Sequence, residues 1–233
     1  MGSPTILDSG SKSKLYTSTD TSGNRTFDLD VHADANVVAV NIILDVDDND
    51  SNAITGLTHT GLTGAVELFD IDASRDNTRA TRMGIYDVSQ CGAGTLEVTA
   101  ALTGGATCIC ACVMTDGFIE SFYTFIDRQV DNGSLKVHSG NNDNNILVLL
   151  ATHQNTSAGG TFTTGTEIFI TNSSDNEVAG VAASQATTTN GLKTIEYDEN
   201  SVSTPMVGLA ILFSSQSDPF DGITGKLTKP IVK

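Results

Sequence analysis

Tryptophan is absent from this chain of 233 residues, proline occurs four times, and aromatic residues make up 6% of it. The missing tryptophan removes the side chain most often used as a stacking platform for sugars. Basic residues are scarce as well. With 12 Lys+Arg against 28 Asp+Glu, the formal net charge is −16 and the pI is near 4.3. Such a surface repels polyanions, so no nucleic-acid partner is expected. The longest apolar runs, VVAVNIIL and ILVLLA, fall far short of the roughly 20 residues a spanning helix needs. The opening stretch through Thr26 holds no apolar run of signal-peptide length. The expectation is a chain made in the cytosol, with no membrane partner. The sequence also lacks G-x-S-x-G, a Walker loop, H-E-x-x-H and a dinucleotide fingerprint. No enzymatic activity and no cofactor are therefore expected.

What the chain does hold is Gly, Ser, Thr, Asn and Asp crowded between short runs of Val, Ile, Leu and Thr. That is the pattern of strands joined by tight turns, and it predicts an all-β fold, an antiparallel sandwich of jelly-roll-like type. In the first half, strands are expected over Thr26–Val31, Val37–Val46, Ala65–Ile71, Thr81–Val88, Thr95–Leu102 and Cys108–Thr115.

Segments of the first half echo in order in the second. LDVHADANVVAVNIIL from Leu29 resembles LKVHSGNNDNNILVLLAT from Leu135, and VELFDIDASRDN from Val66 resembles TEIFITNSSDN from Thr166. Further on, GTLEV matches KTIEY, and TCICACVM matches PMVGLAIL. The offsets cluster near one hundred residues, which is too long for a solenoid and suits a duplicated sheet module. The expected organisation is an N-terminal arm (1–24), a first sandwich repeat (25–116), an apolar connector (117–134), a second repeat (135–215) and a C-terminal tail (216–233). The connector, GFIESFYTFIDRQVDNGS, is too apolar to hang in solvent. It should pack on both repeats and hold them as one body.

Cys108, Cys110 and Cys112 stand two residues apart, so on a strand they share one face. Three ligands in a row cannot close a tetrahedral zinc site unaided, and neighbours along one strand are badly placed for a disulfide with one another. The echoing positions hold Met206, Gly208 and Ala210, which points to packing sites, with a disulfide involving Cys91 as the alternative. DVDDNDSN presents Asp45, Asp47, Asp48 and Asp50 as a candidate calcium loop. It departs from the EF-hand pattern, because Asp50 stands where glycine is needed and Gly56 where the bidentate glutamate is needed. A solvated turn is the expected reading. His32 and His138 occupy matching places and suggest a shared hydrogen bond to a turn, whereas His59 and His153 fall in expected loops.

The run of GNRTFDLDV, VVAVNIIL, MGIYDV, GTLEVTAALTGGA and CICACVMTDGF, with a weaker second round ending MVGLAILFSS, resembles a loose group of β-sandwich proteins of bacteriophage virions and bacterial surfaces. The resemblance implies a virion structural protein, foremost a capsid decoration or cement protein, made in the host cytoplasm and located in the virion. Its partners would be copies of itself, as in a trimer, and major capsid or tail proteins. Phe118, Phe122, Tyr123 and Phe125 of the connector, with Phe220 and Ile223 of the tail, are the candidate interface residues. A tail or fibre component, or a carbohydrate-binding adhesin module, is the alternative. No catalytic residue is implied.

Overall fold

The computed structural model describes residues 4–7, 24–45, 53–72, 79–103, 108–127, 134–138, 145–154, 161–172, 178–186, 193–198 and 206–214. The described elements are fifteen strands. The first half contributes β1 (Arg25–Val31), β2 (Val37–Asp45), β3 (Ile54–Thr60), β4 (Val66–Asp72), β5 (Arg79–Asp87), β6 (Gly94–Leu102) and β7 (Cys108–Thr115). There follow β8 (Phe118–Asp127), β9 (Ser134–His138), β10 (Ile146–Gln154), β11 (Thr161–Thr164), β12 (Thr166–Asn172), β13 (Val178–Ala186), β14 (Thr194–Asp198) and β15 (Met206–Ser214). All six strands expected in the first half are present, with ends shifted by at most two residues. β3 was not anticipated, because ITGLTHT mixes glycine with polar residues and carries only a short apolar pattern. The stretch read as a connector is largely a strand, β8, hydrogen-bonded to β15.

The strands form four antiparallel sheets. Sheet I has the order β1-β6-β3, sheet II β4-β5-β2-β7, sheet III β12-β13-β10-β15-β8 and sheet IV β11-β14-β9. Adding eight to each strand number of sheets I and II reproduces the order of sheet IV and, without β8, of sheet III. The β4–β5 ladder has a bulge between Glu67 and Phe69, and the β12–β13 ladder has one between Glu167 and Phe169.

Three apolar cores stack the sheets in the order I, II, III, IV. Between I and II lie Phe27 and Leu29 of β1, Val40 and Ile42 of β2, Leu96 and Val98 of β6, and the β7 cysteines. Between III and IV lie Leu147 and Leu149 of β10, Ile195 and Tyr197 of β14, and Ala210 and Leu212 of β15. The central core joins the two sandwiches back to back, with Ala39, Ile85 and Val113 of sheet II against Val148, Ile211 and Phe213 of sheet III. Each Ile or Leu taken out of water contributes about 1.5–3 kcal/mol, so this junction welds the halves into one body.

The stacking explains the sequence patterns. The outer strand β1, RTFDLDV, buries alternate residues and shows Thr26, Asp28 and Asp30 to water. The inner strand β2 buries both faces from Val37 to Leu44, and its near-continuous apolar run follows from having a sheet on either side.

Candidate functional site

The richest polar constellation among the described residues lies where the edge strand β3 of sheet I meets the edge strand β4 of sheet II. Alternation along β5 turns Arg82, Gly84 and Tyr86 to one face, toward sheet I. Tyr86 is fully buried. A Cβ on Gly84 would come within 3.0 Å of the Tyr86 hydroxyl and 3.1 Å of Leu57 Cδ1, so the glycine is what lets this ring lie flat. Arg82 Nε donates to Asp70 Oδ1 at 2.5 Å, and Arg82 Nη1 donates to the Ile54 carbonyl at 3.1 Å. Asp70 Oδ2 accepts the Leu57 amide at 3.3 Å. One ion pair thus ties β3 to β4 and β5 across the gap between sheets. The His59 ring meets Tyr86 edge-on at 5.1 Å, and its Nε2 lies 3.2 Å from the Ala65 carbonyl.

The electrostatics describe a clamp. The hydrogen bond to Asp70 raises the Arg82 pKa against the opposing effect of burial, and the charges of Asp70, Asp72 and Glu67 add to the rise. Burial pushes the Tyr86 hydroxyl far above its ordinary value, helped by the negative charges of Glu67 and Asp70. That hydroxyl has no hydrogen-bond partner among the described residues. A guanidinium that stays charged and a phenol that stays protonated can fix geometry, but neither serves as a base at neutral pH. This cluster is all but invisible in the sequence. Its one signal was an arginine inside a strand that also carries Met83 and Ile85.

A second feature is the outer edge of β7. Ile6 bridges Thr115, and the Leu7 amide donates to the Met114 carbonyl at 3.2 Å. Thr5 donates to Asp116 from its amide at 2.5 Å and its hydroxyl at 2.8 Å. Gly117 lies so close to Pro4 and Phe213 that an added Cβ would meet them at 2.7 and 2.9 Å. Residues 4–7 therefore dock beside β7 in the place that β8 takes beside β15.

The cysteines Cys108, Cys110 and Cys112 are buried on the β7 face that looks toward sheet I, and all four cysteines are free thiols. Burial pushes Cys108 up to about 12 and Cys110 well above the usual thiol range. Cys91 is partly exposed, and its thiol is raised chiefly by burial, with Asp87 adding. No group of three or more His, Cys, Asp or Glu suited to a metal ion occurs among the described residues. Of the candidate calcium loop, Asp45 ends β2, while Asp47, Asp48 and Asp50 lie outside the described residues.

His32 Nδ1 accepts the Asp34 amide at 3.1 Å, the expected turn hydrogen bond, and His138 ends β9. His59 and His153, expected in loops, lie in β3 and β10, because both strands run further than their apolar cores suggest. Among the candidate interface residues, Phe118 is half-buried at the start of β8. Phe122 stacks on Phe69 with centroids 4.2 Å apart and 15° between planes, so its ring is engaged at the central core. Tyr123 and Phe125 stand on β8 opposite Ala210 and Gly208. Phe220 and Ile223 lie outside the described residues.

Comparison of the chain with protein-family models, with curated proteins and with solved structures finds no match.

Proposed function

We propose that this protein is a structural component of a virion, foremost a capsid decoration or cement protein, working through its surfaces by self-association and contacts with the shell. The observation that carries this reading is the weld between sheets II and III, which turns two sandwiches into one four-layer block with a wide perimeter of strand edges and outer faces. A rigid block suits a part that reinforces an assembly, since little conformational freedom is lost when it binds. The groups with reactive potential support the same reading. Arg82, Asp70 and His59 are engaged in holding sheets and strands together, and the three β7 cysteines fill the first core.

An internal duplication belongs to this proposal. The shared strand order and the paired bulges at Glu67/Phe69 and Glu167/Phe169 support it. The acidic charge would keep free subunits apart until a complementary surface captures them. Mass spectrometry of purified particles should find the protein in stoichiometric amount. A chain ending at Gln216 should fold yet fail to attach. Absence from particles, or specific capture on a glycan array, would replace the virion assignment with another.

A further inference from the structure

We propose that the side chains of Lys193 and Asn145 are joined by an isopeptide bond, with Glu120 as the group that carries the proton. The proposal starts from a lysine in an unusual place. Lys193, immediately before β14, is fully buried. Its position alternates with those of Ile195 and Tyr197, which line the core between sheets III and IV, so Lys193 shares their inward face. Lysine is almost never fully buried unless it is engaged.

The topology brings two other groups to the same end of that core. β13 ends at Ala186 opposite Ile146, and Lys193 is the next described residue after it. Thr194 pairs with His138, and the next described residue after His138 is Asn145, directly before β10. Asn145 is itself buried, and its Nδ2 donates to Glu120 Oε2. Glu120 sits at the bulge in the β8–β15 ladder, with β15 lying between β8 and β10.

The first half provides a contrast. Asn36 precedes β2 as Asn145 precedes β10, but its Nδ2 donates to the main-chain carbonyl of Asp116, and Ala93 precedes β6 where Lys193 precedes β14. The asparagine recurs at both sites. The first site has no lysine before β6, and its carboxylate, Asp116, is held by Thr5.

The reaction balances without any co-reactant. Glu120 takes a proton from the Lys193 ammonium, and Nζ attacks Cγ of Asn145. The Cγ–Nδ2 bond then breaks as Glu120 returns its proton to the departing nitrogen. The Nζ–Cγ amide remains, one ammonium ion leaves with the last Nζ proton, and nothing is oxidised or reduced. A low-dielectric, water-poor site favours this transfer over hydrolysis.

The test is the mass of the intact full-length chain under denaturing conditions. The expected value is lower than that of the sequence by one ammonia, with a branched peptide linking Lys193 to Asn145 after proteolysis. A succinimide at Asn132-Gly133 or Asn190-Gly191 would lose the same mass. It would reopen under mild alkali, whereas the isopeptide would survive. An unmodified mass, or a loss mapped to either Asn-Gly step, overturns the proposal. Glu120→Gln should fold with the full unmodified mass, and a cross-linked Glu120→Gln chain overturns the role given to Glu120.

Discussion

Sheets II and III carry apolar side chains on both faces, while sheets I and IV do so on one. Strand β2, with VVAVNIIL buried throughout, and strand β1, where Phe27, Leu29 and Val31 alternate with exposed residues, mark the contrast within a few residues of each other. The difference teaches where the molecule's cohesion lies. An outer strand contributes to one core, but an inner strand contributes to two, so a change in sheet II or III is felt on either side of it.

The largest expected effect is therefore at the weld. Ile211→Ala removes a fully buried side chain from the central core and should cost about 2–5 kcal/mol. Urea unfolding of the wild type should show one transition. Two separated transitions, with Ile211→Ala shifting only one of them, would mean that the halves are merely tethered.

Next comes alkaline pH, which probes the core between I and II. The Cys108 thiol, 9.0 in its ordinary setting, is pushed up to about 12 by burial. The unfolded chain gives up this proton above pH 9, whereas the folded chain keeps it. Stability is thus fully present below pH 9 and falls as pH rises toward 12, by an amount of order a few kcal/mol. Melting temperatures across that window check the sign, and Cys108→Ala should flatten the slope. In native protein, a thiol reagent should label Cys91 fast and the three β7 cysteines only on unfolding.

Arg82→Ala tests the clamp at the rim of the same core. It would leave Asp70 half-buried without its partner and should cost about 1–3 kcal/mol, with hydrogen exchange rising in β3. Arg82→Lys keeps the charge but loses the second donor that reaches Ile54, so it should fall between the two. The smallest effect belongs to an outer face. Thr58→Ala, at an exposed position of β3, should change stability by no more than about 0.5 kcal/mol. A larger loss would show that the outer face of sheet I is covered in the native assembly.

Much of this architecture is legible in the sequence, but unevenly. Alternation in RTFDLDV and GTLEVTAAL marks outer strands, and continuous runs in VVAVNIIL and CICACVM mark strands with a sheet on either side. The cysteine row reads as packing from its spacing and from Met206, Gly208 and Ala210 at the echoing positions, and the structure buries it on one face. β8 was hidden because FIESFYTFID mixes polar residues into an apolar stretch, as suits an edge strand half covered by the central core. The clamp was hidden for another reason. Asp70, Arg82, Leu57 and Ile54 belong to three strands, and no local pattern says which edges meet.

Local chemistry by itself determined that this chain is all-β, where most strands run and which side chains avoid water, since those follow from propensity and a period of two residues. The pairing of β3 with β6, the stacking of sheet II on sheet III, the docking of residues 4–7 beside β7 and the hydrogen bond of Asn145 to Glu120 were decided only by the tertiary structure. Each joins residues far apart in the chain, and such contacts are chosen by the packing of whole faces, which no short stretch of sequence encodes.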